Sequence, residues 1–311
     1  MGRSLCSTTR CAICAALTAA AIAIGLIFIL SYVYWWPTDN STDKDGDMDN
    51  SVDPPSPEQP CPSGDFHTGY IATGSTVAVN SDVVAYLSRP VGTSCKGAVL
   101  IFHDIYGYGL PANQQVADDL AQNGYVAILP DLFRGNPWQP DMYEYVEWKT
   151  SHSQERIDGD IDATVSFIRS ALSVDNLAVV GFCWGGLQSV FASARLSIDA
   201  AVAFYGVGIT PDDLISMNKP TLLLHGQNDT IISVTDVELL ESTLHNANRL
   251  LQSVDDLETG ALRGPPSYVK IFEDVGHSFA HRGDMDDPVI RQASEEAFND
   301  MYRWISRFTP G

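Results

Sequence analysis

Three side chains that together could catalyse acyl transfer stand far apart in this sequence: Cys183, Asp229 and His277. The cysteine lies in Val179-Val180-Gly181-Phe182-Cys183-Trp184-Gly185-Gly186, between an apolar run and a stretch of small and apolar residues from Leu187 to Leu196. A strand from Asn176 to Val180 that turns through Gly-x-Cys-x-Gly-Gly into a helix would hold the sulfur at a sharp, strained corner. A Cβ at Gly181 or Gly185 would collide there with the neighbouring strand or helix, which explains glycine at both positions. The sulfur would also stand at a helix N-terminus, whose dipole favours thiolate over thiol. In such a set the cysteine attacks a carbonyl carbon and the histidine moves the proton. The aspartate fixes the imidazole tautomer and supports its charge. Taken alone, the glycine-rich turn fits an inert buried cysteine equally well. Three such residues in this order, each just past an expected strand, favour catalysis.

The elements that must position them alternate in period. Thr76–Asn80 and Val83–Ser88 alternate around a short turn and read as an antiparallel hairpin. Ala98–Phe102 and Tyr125–Leu129 are unbroken apolar runs, as expected of strands buried on both faces. Ala200–Phe204, Thr221–Leu224 and Ser267–Phe272 read as further strands. Helical spacing appears at Gln114–Asn123, Gln154–Leu172, Val234–His245 and Pro288–Phe308, and residues 246–266 are irregular. This rhythm predicts a mostly parallel sheet with helices on both faces, where ligands bind at the carboxyl ends of the strands. Asp229 follows the run Thr221–Leu224, and His277 follows Ser267–Phe272. Nucleophile, acid, histidine is the chain order of the α/β-hydrolase fold.

Length and charge bound the remainder. A chain of 311 residues, 45% of them apolar, suits one domain of about 250 residues with additions. Of the formal net charge of −21, residues 1–36 carry +2 and residues 37–60 carry −6, leaving −17 for residues 61–311. A domain so acidic is a poor partner for nucleic acid or for an anionic membrane surface. Residues 1–12 are expected to form a short cytoplasmic N-terminus. Residues 13–36 hold no charge, which is long enough for a single transmembrane helix. Arg3 and Arg10 precede it and Asp39, Asp43 and Asp45 follow, so the positive-inside rule places the catalytic domain on the lumenal or extracellular side. Residues 37–60, rich in Asp, Ser, Asn and Pro, read as a solvated linker. Met48 stands where a calcium loop of the EF-hand type needs glycine, so no metal is expected there. Asn40-Ser41-Thr42 is a glycosylation sequon.

With these residues in place, the chain resembles the dienelactone hydrolase family of α/β-hydrolases. The resemblance rests on Gly181 to Gly186, Asp229 and Gly276-His277-Ser278-Phe279-Ala280. It extends through His103-Asp104-Ile105-Tyr106-Gly107, Gly124 to Phe133 and the opening Cys61-Pro62-Ser63-Gly64, so it covers essentially residues 61–310. It implies a cysteine hydrolase that opens small esters or lactones through an acyl-enzyme, with no metal or cofactor. It also implies an oxyanion hole built from the backbone amides of Trp184 and Ile105. Asp104 stands where family members that cleave dienelactone have glutamate, a carboxylate that engages the resting cysteine, so Asp104 is expected to gate the nucleophile. The arginines that hold a substrate carboxylate in the family fall at His281, with Arg282 beside it, and near Arg134. An anionic lactone is therefore a doubtful substrate. Tyr106, Phe133, Trp138, Trp184, Tyr205 and Phe279 are expected to line an aromatic pocket, together with Arg134, His281 and Arg282.

The reading that results is an α/β-hydrolase domain over residues 61–311, anchored by one transmembrane helix and acting as a monomer on a small ester, lactone or thioester. Two rivals remain: a non-catalytic binding protein that keeps the fold, and a glycan-acting hydrolase of the kind assigned to some plant relatives. The pairing of Cys61 with Cys95 stays open.

Overall fold

A computed structural model describes residues 64–92, 95–139, 145–256 and 262–309, all within one unit of the chain, Pro55–Gly311. The expected cytoplasmic N-terminus, transmembrane segment and linker, with Cys61 and Asn40, lie outside the described residues. Among the described residues no helix is long and apolar enough to cross a membrane.

The strands are β1 (Ser75–Ala78), β2 (Val84–Ser88), β3 (Ala98–Phe102), β4 (Val126–Pro130), β5 (Leu177–Phe182), β6 (Ala200–Phe204), β7 (Thr221–Gly226) and β8 (Ser267–Phe272). They form one sheet in the order β1-β2-β4-β3-β5-β6-β7-β8. The β1–β2 and β2–β4 pairs are antiparallel, and all others are parallel. The order doubles back at β3, so the chain changes direction across the sheet there, and the loop after β3 and the turn after β5 come to lie side by side.

Because side chains alternate along a strand, each strand feeds two cores. Val99, Ile101, Val180, Val202 and Leu222 face one side with α1 (Pro111–Gln122) and α8 (Pro288–Phe308). On the other side, Leu100, Ile128, Val179 and Ala201 pack on α3 (Gln154–Ser170) and α4 (Trp184–Arg195). Further along that second face, Ala203 and Leu223 meet α5 (Pro211–Ser216) and α6 (Val234–Asn246). The helix starts are fixed by their sequence: Ser153, Ser233 and Asp287 accept first-turn backbone N–H groups, and Thr210 with Asp213 forms a capping box.

The long elements agree with their sequence patterns. Three short helices do not: α2 (Tyr145–Thr150), α5 and α7 (Phe279–Arg282), each too brief for a 3.6-residue period to register. Cys95 is a free, exposed thiol, and its Sγ lies 3.3 Å from the Gly97 carbonyl oxygen.

Candidate active site

The turn from β5 into α4 has the expected geometry. Cys183 adopts φ 55° and ψ −117°, a region that side chains avoid at a cost of about 1–3 kcal/mol. The Cys183 N–H donates to Phe204 O at 3.0 Å, and its carbonyl oxygen accepts from Gly186 and Val207, so both neighbouring segments hold the strained residue in place. The two glycines are required for lack of room. A Cβ at Gly181 would lie 1.9 Å from the Gly185 carbonyl oxygen, and one at Gly185 would lie 2.1 Å from that of Phe102.

Asp229 and His277 arrive from neighbouring strands. The loops after β7 and β8 are bonded to each other through Gln227 N–H to Phe272 O and Asn228 N–H to Val275 O, at 2.8 and 2.9 Å. This brings Asp229 Oδ2 to 2.7 Å from His277 Nδ1, with both side chains fully buried. The carboxylate can only accept, so Nδ1 carries the proton and Nε2 is the basic nitrogen. The other oxygen, Oδ1, accepts from the Ile231 and Ile232 amides at 2.8 and 3.0 Å. Burial alone would raise the Asp229 carboxyl, but the His277 hydrogen bond and charge and the Ile232 amide outweigh it and leave it below the usual carboxylate range. His225 adds a second imidazole, its Nε2 lying 3.1 Å from Ile232 O and 3.8 Å from Asp229 Oδ2. Burial lowers its pKa.

A second buried network stands beside this pair. His281 lies on α7, four residues beyond His277, with Nε2 3.1 Å from Asp104 Oδ2 and Nδ1 2.6 Å from the Tyr205 hydroxyl. Since Asp104 must accept, Nε2 donates and Nδ1 receives the tyrosine proton. Arg282 makes an ion pair with the same Asp104 oxygen at 2.7 Å. Asp104 Oδ1 accepts from Tyr106 N–H at 3.0 Å and Asn113 Nδ2 at 3.3 Å. Burial would raise the Asp104 carboxyl, but Arg282 and His281 hold it far below the ordinary range. Burial pushes His281 down to about 4, only partly offset by Asp104, so the imidazole is neutral near pH 7. Tyr205 is pushed well above 10 by burial and stays protonated. Its ring centroid lies 5.1 Å from that of His277, which puts the two networks in contact.

Several expected pocket residues sit elsewhere. Arg134 is not available to a substrate: its guanidinium is bound to Asp160 of α3 through Nε at 3.1 Å and an Nη at 2.8 Å, and Asp82 stands 3.8 Å away. His281 and Arg282 are buried and committed to Asp104 rather than lining an open pocket. Phe133 and Trp138 are core residues, packed with Trp148, His152 and Tyr145. Phe279 is buried against Tyr205 and Phe272. Tyr106 remains partly exposed over Arg282, with 4.9 Å from the guanidinium carbon to the ring centroid. Trp184 begins α4 and stacks on His103, and Ile105 is buried in the loop after β3. Asn113 and His225 went unnoticed in the sequence. Each had a signal, a polar residue on an apolar pattern: Asn113 with Val116, Ala117 and Leu120, and His225 at the end of Leu222-Leu223-Leu224.

The model of the dienelactone hydrolase family matches residues 83–309. The chain belongs to that family. Dienelactone hydrolase-type proteins hydrolyse esters and lactones, and this chain is an enzyme of that class. It is 30% identical over 254 residues to the carboxymethylenebutenolidase homolog of Xenopus tropicalis, covering 80% of this chain and 96% of that protein. An endo-1,3;1,4-beta-D-glucanase of Zea mays is 31% identical over 146 residues, covering 47% of this chain and 46% of that one. A crystal structure from Klebsiella pneumoniae, provisionally assigned as a dienelactone hydrolase, superposes with a TM-score of 0.62 at 21% identity. It covers 77% of this chain and 100% of that chain, a likeness of fold.

Proposed function

We propose that this enzyme is a cysteine hydrolase of small neutral esters, lactones or thioesters, working through an acyl-enzyme on Cys183, His277 and Asp229. The observations that carry the reading are the buried 2.7 Å contact between Asp229 and His277 Nδ1 and the strained backbone of Cys183 at a helix start. His277 Nε2 takes the thiol proton as the sulfur attacks the carbonyl carbon. The negative oxygen that forms is received by the N–H groups of Trp184 and Ile105. An N–H in the first turn of a helix has no partner within that helix, which suits Trp184 to the task. His277 then gives its proton to the leaving alcohol or thiol, breaking the bond to the acyl carbon. In the second half it removes a proton from water, the hydroxide attacks the thioester, and the acid departs as the thiol re-forms.

Substrate charge follows from the surroundings. Arg282 is already neutralised by Asp104, and His281 is neutral, so a substrate carboxylate would meet no unpaired cation from either. Asp104 and Asp229 are both held ionised. Glycoside cleavage needs one carboxyl kept protonated as the acid, so the similarity to the maize glucanase does not favour that chemistry here.

The same reading places the domain on a membrane through residues 13–36, with residues 37–60 as tether and the enzyme on the lumenal or extracellular face. Retention in the membrane pellet after alkaline carbonate supports the anchor; release as a soluble chain starting near residue 37 would refute it. For catalysis, the full chain should give a rapid burst with p-nitrophenyl acetate and a mass increase of one acetyl group on Cys183. Cys183→Ala should lose both. Undiminished turnover in that variant would end the cysteine mechanism.

A further inference from the structure

Asp104 begins the segment that carries Ile105, and its contacts set the direction of the Ile105 N–H. Its backbone carbonyl accepts from Gly107 N–H at 3.2 Å, closing a four-residue turn, and its side-chain Oδ1 accepts from Tyr106 N–H at 3.0 Å across the same turn. The peptide between Asp104 and Ile105 is thus held from both sides, by the main chain and by the carboxylate. The carboxylate is itself fixed from outside the loop by Arg282 at 2.7 Å, His281 at 3.1 Å and Asn113 at 3.3 Å. His281 is fixed in turn by the Tyr205 hydroxyl at 2.6 Å and by the Phe182 ring, with centroids 4.4 Å apart. All four members, Tyr205, His281, Asp104 and Arg282, are at most 2% exposed.

We propose that His281 and Tyr205 are positioning residues for the oxyanion hole: a neutral imidazole passes the fixed position of the Tyr205 hydroxyl through Asp104 to the turn that aims the Ile105 N–H. Asp104 is then a clamp on the loop rather than a gate on the thiol. The inference rests on the catalytic reading above. It extends that reading to two side chains that need touch neither the nucleophile nor the substrate. A donor aimed at charge that exists only in the transition state affects kcat and leaves ground-state binding nearly alone.

That property supplies the test, made on the full chain. His281→Leu should lower kcat by about 100-fold with KM changed less than about twofold, the size expected when one oxyanion donor is lost or misdirected. Tyr205→Phe, which keeps the ring and removes the proton donated to Nδ1, should lower kcat by about tenfold. His281→Gln offers an amide N–H to Asp104 and a carbonyl oxygen to Tyr205, and should recover most of the loss. Across the series, affinity for a trifluoromethyl ketone that adds to the thiol should fall in proportion to kcat/KM. Alkylation of Cys183 by iodoacetamide, read by peptide mass, should keep the wild-type rate. Faster alkylation in His281→Leu would favour a gate and overturn the clamp. So would a rise in KM at constant kcat, or glutamine no better than leucine. If His281→Leu does not fold, Tyr205→Phe and His281→Gln carry the same comparison. Turnover surviving Cys183→Ala would instead point to failure of the catalytic reading itself.

Discussion

His281 ought to make this protein sensitive to mild acid, and replacing it with glutamine should remove a measurable share of that sensitivity. The imidazole is buried between Tyr205 and Asp104, and burial lowers its pKa from 6.5 to about 4 despite the neighbouring carboxylate. In the unfolded chain the same group titrates at its ordinary value. Between those two pH values the unfolded chain binds a proton that the folded chain refuses, so stability falls as pH falls. Above pH 6.5 both states are neutral at this site and the effect vanishes. At about 1.4 kcal/mol for each unit of pKa difference, the full penalty approaches 3 kcal/mol near pH 4, with about 2 kcal/mol of it already present at pH 5. That is a large part of the 5–15 kcal/mol that holds a typical domain together.

The assay is urea unfolding at half-unit steps from pH 4.5 to 8, wild type against His281→Gln. Glutamine cannot titrate but can make both hydrogen bonds, so the two proteins should differ by a roughly constant offset above pH 6.5. Below it the wild-type curve should fall faster. His103, His152 and His225 also have lowered values, chiefly through burial, and they add to the acid loss of both proteins equally. The difference between the curves therefore isolates His281. Parallel curves through pH 5 would refute the reasoning, for they would mean that the folded protein accepts the proton as readily as the unfolded one.

Two other outcomes are expected. Neutral short-chain or aromatic esters should be turned over at higher kcat/KM than analogues bearing a carboxylate, because Arg282 is already paired with Asp104; a preference for the carboxylate measured at low salt would contradict this. Gly185→Ala should lower stability by at least about 3 kcal/mol, or prevent folding, since its Cβ would stand 2.1 Å from a strand carbonyl with no flexible side chain to yield; a wild-type melting temperature would show that the turn from β5 into α4 can open.

The sheet and the cysteine turn were legible in the sequence, because those depend on local pattern. Apolar runs at Ala98–Phe102 and Leu177–Phe182 admit few structures other than a buried strand, and the glycines around Cys183 advertise a close backbone approach. The roles of charged residues were less legible, because they depend on partners distant in the chain. Arg134 and Asp160 are 26 residues apart, and His281 and Asp104 are 177 apart. No spacing rule links either pair. Arg134 was therefore expected at the substrate when it serves α3, and the four partners of Asp104 went unread in the sequence. A polar residue in an apolar pattern was the local sign of such networks, carried by Asn113 beside Asp104 and by His225 beside Asp229.

His277 and His281 occupy one short segment, both buried, each donating a hydrogen bond to an aspartate, yet the mechanism proposed above gives them opposite tasks. The groups holding Asp229 are the His277 ring, two backbone amides and, farther off, His225. The partners of Asp104 include a guanidinium. Protonating His277 would complete an ion pair with Asp229, a charge the site can accept for the lifetime of an intermediate. Protonating His281 would add a second positive charge beside Arg282 and oblige the Tyr205 hydroxyl to turn from donor to acceptor. The first environment suits a group that must gain and lose a proton in every turnover. The second suits one that must never do so, and whose value lies in keeping a loop still. Two identical side chains are thus assigned by the charge already resting on their partners.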